Sequence, residues 1–379
     1  MKSNRTPRWR LALAMSCAAL AAPPIAQPCA ALAAPQVSQS SAQNAPSAAA
    51  PAASAAQAGG APLQPTLLVL NKSDATLSFL DPATGSELAC VPTGVGPHEL
   101  ACSADGRLAF VMNYGAQQPG DSIGVYDVAA RKELRRIALG PLQRPHGVAE
   151  HAGHIWFTAE QARCVARLDA GGERVDWIAG VGESIAHMLA IDPANGRIYT
   201  TNILSNSVSV IDPKAGPGPQ GLKHIAVEEK PEAIALRPSS DELWIGHMNA
   251  GALTVIDRPQ RTVRARIELG GMPIRIAFTP DGATALVTDV QSGALIAIDA
   301  STREVRERLE LGKTPVGVLI EPGGARAYVA VMEEGKVVVV DLTGSTLARV
   351  RELPTGAGPD GLAWSGGALS APAAAPAPR

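Results

Sequence analysis

Seven short runs of strand-forming residues each close on an aspartate, at Asp81, Asp127, Asp169, Asp212, Asp257, Asp299 and Asp341. Ser207-Val208-Ser209-Val210-Ile211-Asp212 has the simplest pattern, with polar and apolar side chains alternating at the period of a strand. The aspartates lie 46, 42, 43, 45, 42 and 42 residues apart. A repeat of that length, built from β-type segments between Gly, Pro, Asn and Asp turns, is the span of a four-stranded propeller blade. The chain is therefore expected to be all-β, a seven-bladed β-propeller of four-stranded antiparallel blades.

The stretch from Lys313 to Gly356 serves as a specimen blade. Pro315 to Ile320 reads as the innermost strand, Glu321-Pro322-Gly323-Gly324 as a tight turn, and Ala327 to Val331 as the second strand. Lys336 to Val340 is rich in β-branched residues and makes the third strand, with Leu347 to Leu353 outermost. The aspartate that follows the third strand is suited to accept backbone N–H bonds and start the next turn, a structural role. At the ends of the array, Gly361 to Trp364 reads as an inner strand with nothing after it, and Thr66 to Val91 as three strands with nothing before them. Joined, they complete the seventh blade and remove the open edges of the ring.

Composition adds the surroundings of that ring. Residues 1–33 carry Lys2, Arg5, Arg8 and Arg10, then the apolar run Leu11 to Ala22, then Ala31-Leu32-Ala33, the signature of a cleaved secretory leader. Residues 34–65 and 366–379 are dominated by Ala, Pro, Ser and Gln or Gly, and read as a disordered linker and tail around a propeller of residues 66–365. No later segment offers eighteen consecutive apolar residues, so no transmembrane segment is expected and the protein is assigned to the periplasm or the outside of the cell. The formal charge of −2 includes the four cations of the leader, so the mature chain is near −6, a balance that disfavours nucleic acid as a partner. Cys90, Cys102 and Cys164 remain after cleavage; an odd number leaves at least one thiol free, and buried, inert thiols are expected, with a Cys90–Cys102 bridge geometrically poor.

Arg144-Pro145-His146-Gly147-Val148-Ala149, Pro280-Asp281-Gly282, Tyr199-Thr200-Thr201-Asn202 and the Ser207 to Asp212 run resemble the repeat of the YVTN family of seven-bladed propellers, which includes YncE-type periplasmic proteins. The likeness extends over residues 66–365. It implies the fold and an exported protein; it implies no particular chemistry, because the same fold hosts many unrelated functions.

Aligning the blades on their aspartates exposes two columns. The residue after the one that opens the innermost strand is His98, His146, His187, Glu232, Ile274, Val316 and Asp360 in successive blades. At the end of the second strand the column reads Asn71, Asn113, Ala159, Asn202, His247, Asp289 and Val331. The two strands are antiparallel, so both columns are expected at the same mouth of the central channel. Arg275 follows Ile274 and reads either as facing an acidic rim or an anionic ligand or, equally, as a plain surface residue. Imidazoles from three adjacent blades, His98, His146 and His187, suit zinc or copper, with Asp360 or Glu232 as an oxygen donor or supporting partner. An imidazole that merely bridges neighbouring loops explains the same histidines. His151, His154 and His224 read as solvated residues away from the mouth.

No Cys-x-x-Cys-His, Gly-rich phosphate loop or Gly-x-Ser-x-Gly elbow is present. The expected function is a non-catalytic monomer that binds a small ligand, a peptide or a partner protein at the mouth through His98, Asn113, His146, His187, Asn202, Glu232, His247, Arg275, Asp289 and Asp360. The alternative is a zinc- or copper-dependent enzyme, either a lactonase-like hydrolase or a redox protein, using the same histidines. Single-stranded DNA binding is disfavoured by the acidic balance and the scarcity of aromatic residues.

Overall fold

The computed structural model describes residues 63–215 and 220–367. The predicted leader and most of the predicted linker and tail lie outside the described residues. Among those described, strands form seven separate four-stranded antiparallel sheets, and no helix is long and apolar enough to cross a membrane.

The innermost strands are Pro97–Cys102, Pro145–His151, Ala186–Ile191, Pro231–Leu236, Pro273–Phe278 and Pro315–Ile320 in blades one to six, and Pro359–Ser365 in blade seven. Each packs against the inner strand of the next blade, and the seventh returns to the first, closing a ring. Blade seven joins the two ends of the array: Pro359–Ser365 pairs with Thr66–Asn71, with Leu67 opposite Trp364 and Leu68 opposite Ala363.

The second strands are mostly buried, Thr66–Asn71 and Ile198–Asn202 along their whole length, because adjacent blades cover both of their faces. Apolar clusters fill the spaces between blades; one joins Met112, Ile123 and Val125 of blade one to Phe157, Ala166 and Leu168 of blade two. The outer strands keep one face in water, and Val175–Gly180 and Val305–Glu310 alternate between exposed and half-buried positions. The specimen blade agrees with its sequence reading, with strands Pro315–Ile320, Arg326–Val331, Lys336–Asp341 and Ala348–Pro354.

All seven repeat aspartates act as turn initiators. Their carboxylates accept backbone N–H bonds of 2.7–3.0 Å from Ala83, Ala130, Glu173, Lys214, Gln260, Ser301 and Thr343 respectively. Cys102 and Cys164 are free thiols whose pKa values burial pushes up to about 12 and about 11, so both are inert as expected. Cys90 is disulfide-bonded, which corrects the expectation of a thiol there.

Candidate functional site

Each opening residue of an inner strand pairs with the residue that ends the second strand. The seven pairs are Pro97–Asn113, Pro145–Ala159, Ala186–Asn202, Pro231–His247, Pro273–Asp289, Pro315–Val331 and Pro359–Asn71. The two sequence columns thus share one mouth of the ring. Beyond each pair the inner strand advances one residue more than its partner, a β-bulge repeated in all seven blades. The bulge holds His98, His146, His187, Glu232, Ile274, Val316 and Asp360. A bulge re-aims the side chain it carries, which lets these residues meet one another instead of alternating into the blades.

Close approach of the inner strands accounts for the glycines beside this column. A Cβ at Gly147 would lie 2.6 Å from the His187 carbonyl oxygen, and one at Gly361 2.5 Å from that of His98. Thr158 fastens the same contact, accepting from the Gly147 amide at 2.9 Å and donating to the His187 carbonyl at 2.5 Å.

The three histidines form a tilted stack across blades one to three, with interplanar angles of 59° and 34°. Ring centroids are 4.2 Å apart for His98 and His146, and 3.8 Å for His146 and His187. His98 Nδ1 lies 3.0 Å from Asp360 Oδ2, which Lys72 Nζ also approaches at 3.3 Å. At the other end, His187 is bonded on both ring nitrogens, with Nδ1 2.5 Å from Glu160 Oε1 and Nε2 2.7 Å from Glu232 Oε1. Arg275 donates to Glu232 Oε1 at 2.9 Å and to Glu99 Oε1 at 2.5 Å. Tyr114 donates from its hydroxyl to Glu160 Oε2 at 2.6 Å, beneath the Arg144 guanidinium 4.8 Å from the ring centroid.

His146, in the middle of the stack, is fully buried, and neither of its ring nitrogens has a hydrogen-bond partner among the described residues. Burial, reinforced by the neighbouring His187, His98, Arg275 and Lys72, holds its pKa well below the usual histidine value, so the ring is neutral. For His187 burial also opposes the charge, but Glu232 and Glu160 outweigh it and raise the pKa to about 9. Glu232 shows the reciprocal effect: burial favours the neutral acid, and His187 and Arg275 overcome it, bringing the pKa down to about 2. Asp360 is likewise held below the carboxylate range, with burial overcome by His98, Lys72 and Arg275.

His98, His146, His187, Glu232, Arg275 and Asp360 are therefore one connected group. The remaining predicted residues ring the mouth but bond within their own blades. Asn113 accepts from the Gly94 amide and donates to Ser122; Asn202 donates to Ser207 and Ser209. His247 bonds Thr254 through Nε2 at 2.8 Å, and Asp289 accepts from the Met272 amide and the Ser292 hydroxyl. The predicted metal trio is stacked, with His98 turned to Asp360 and Glu160 supplying the carboxylate nearest the other two.

Glu99 stands one position after the bulge column, and three further members of the site lie outside both columns: Lys72, Tyr114 and Glu160. Each directly follows the column that ends the second strands, and that next column reads Lys72, Tyr114, Glu160, Ile203, Met248, Val290 and Met332. Polar residues occupy blades seven, one and two; apolar ones occupy blades three to six. Together with Ile274 and Val316 at the bulge, this adds apolar side chains to blades three to six, where they stand beside the charged Glu232, Arg275 and Asp289.

No protein-family model and no curated protein matches the chain. Solved structures do resemble it. A periplasmic gluconolactonase of Pseudomonas aeruginosa superposes with a TM-score of 0.66 at 15% identity, covering 79% of this chain and 99% of that one. A Lactobacillus plantarum protein gives 0.66 at 13% identity, covering 79% and 99%. Hydrazine synthase of Kuenenia stuttgartiensis gives 0.60 at 18% identity, covering 71% and 89%. At such identities the likeness is one of fold, and the chain is a seven-bladed β-propeller.

Proposed function

We propose that this chain is an exported propeller of the YVTN type that binds a small ligand at the histidine-lined mouth without transforming it. The observation that carries the reading is His146, a neutral imidazole buried completely with both nitrogens unpartnered. Leaving a buried donor or acceptor unbonded costs about 1–3 kcal/mol each, and a ligand that supplies the missing bonds recovers that energy on binding. The surrounding charges are already paired with one another, Arg275 with Glu99 and Glu232, His187 with Glu160 and Glu232, Lys72 with Asp360. A fixed frame of paired charges around a neutral ring with no hydrogen bonds suits recognition. The apolar side chains Ile274, Val290, Val316 and Met332 of blades five and six favour a ligand with a polar end and an apolar body. A peptide side chain or a partner's loop of the same character would fit the same mouth.

A thermal-shift screen of small molecules tests the proposal. Compounds that raise the melting temperature of the wild-type chain should fail to do so with His146→Phe, which keeps the stacked ring and removes both nitrogens. Hits that stabilise both proteins equally would place binding elsewhere and overturn the proposal.

A second reading, a lactonase-like hydrolase, draws support from the periplasmic gluconolactonase among the structural neighbours. Incubation with glucono-δ-lactone, followed by acid release against a heat-treated control, distinguishes it; turnover lost in His146→Phe would replace the binding reading with this one.

A further inference from the structure

We propose that His146, Glu160 and His187 form a site for one divalent transition-metal ion, with two imidazoles and one carboxylate as ligands. The proposal deepens the reading of the mouth as a binding site. One potential ligand atom from each of the three residues lies within 4.8 Å of the others, and all three side chains are buried. His146 brings an unpartnered lone pair to the group, the state a metal-binding imidazole requires.

The partners around the trio are those that support a metal centre. A ligating histidine donates its second ring N–H to a carboxylate; His187 Nε2 is 2.7 Å from Glu232 Oε1, leaving Nδ1 for the cation. A ligating carboxylate is itself hydrogen-bonded; Glu160 Oε2 accepts from Tyr114 at 2.6 Å, leaving Oε1 for the cation. Arg275 in turn holds Glu232 at 2.9 Å, so the supporting carboxylate is fixed before the ion arrives.

His187 Nδ1 and Glu160 Oε1 are 2.5 Å apart and joined by a hydrogen bond. Two ligands at about 2.1 Å from a tetrahedral ion sit roughly 3.4 Å apart, so the pair opens by about an ångström as the ion enters. The step balances as an exchange: the divalent cation takes the Nδ1 lone pair and the carboxylate, one proton leaves to solvent, and no electron is transferred. Two imidazoles among three donors select zinc, cobalt, nickel or copper over magnesium and calcium. Three protein ligands leave at least one coordination position for water or for a ligand's donor atom.

Cobalt and zinc are the probes. Full-length protein without a histidine tag, stripped with a chelator, is titrated with each ion by calorimetry and, for cobalt, by visible absorption, with melting curves confirming that every variant folds. One equivalent should bind, with cobalt bands of four- or five-coordinate intensity. His146→Phe and Glu160→Gln should each weaken binding at least tenfold. Tyr114→Phe, which removes a positioning group only, should weaken it roughly 10- to 100-fold. His154→Ala, in the hairpin that connects the first two strands of blade two, should change nothing. Absence of stoichiometric binding, or binding that survives His146→Phe, overturns the metal site. If small-molecule hits still depend on His146 while no ion binds, the mouth remains a ligand site and the metal proposal alone falls; an ion bound without any such hits has the opposite meaning.

Discussion

Arg275 of blade five donates to Glu99 of blade one, a residue 176 positions earlier in the chain, and the bond crosses the mouth of the ring. The same guanidinium holds Glu232 of blade four, so one side chain ties three blades together. Burial opposes its charge, but Glu99, Glu232 and Asp360 more than compensate and raise its pKa above the ordinary arginine value.

Removing that cation leaves the buried Glu232 and the half-buried Glu99 short of a partner. Arg275→Met is expected to cost about 3–5 kcal/mol in urea unfolding, the range for breaking a buried ion pair from one side. The double variant Glu99→Gln, Arg275→Met should recover part of the loss. Strict additivity of the two single variants would show that the pair contributes no coupling.

Gly147 faces backbone atoms that cannot give way, with the His187 carbonyl oxygen 2.6 Å and the Leu189 amide nitrogen 2.8 Å from where its Cβ would stand. Gly147→Ala should destabilise the chain by about 1–3 kcal/mol and disturb the histidine stack. Gly180, with nothing within 4 Å of its Cβ position and no positive φ, is the control. Gly180→Ala should leave the melting temperature unchanged or slightly raised.

The seventh blade depends on the strand Pro359–Ser365, which covers Thr66–Asn71. Truncation after Gly358 uncovers a fully buried strand and opens the ring. A lower melting temperature and greater aggregation are expected; an unchanged melt would contradict the closure.

Two buried histidines make stability fall toward acid. For His247 burial is the leading cause of a pKa near 4, against the ordinary 6.5, and His146 is shifted in the same direction. Between pH 6.5 and 4 the unfolded chain therefore binds more protons than the folded one, so acidification favours unfolding. The urea midpoint should drop across that interval. His247→Asn should flatten part of the drop, and a profile identical to wild type would remove His247 as a source.

The strand pattern, the turn aspartates and the pairing of the two columns were all legible from sequence, because each depends on neighbours within one blade. Asp299 bonds the Ser301 amide two residues away, and Pro145 meets Ala159 across a single hairpin. Arg275, for which the sequence left an acidic rim, an anionic ligand and a plain surface position open, bonds Glu99 and Glu232. Tyr114, Glu160 and Lys72 escaped that reading, since they stand one position beyond the column and belong to the site only through contacts with other blades.

What the sequence by itself determined is the ring: a 42- to 46-residue period of local strand and turn preferences leaves few other ways to bury seven incomplete sheets. What the tertiary structure alone decided is which polar groups at the mouth satisfy one another. That His187 takes both Glu160 and Glu232, that His98 turns to Asp360, and that His146 is left with none depends on inter-blade distances of a few ångströms. Hydrogen bonds and ion pairs vary steeply over such distances, and the linear order of residues carries no record of them.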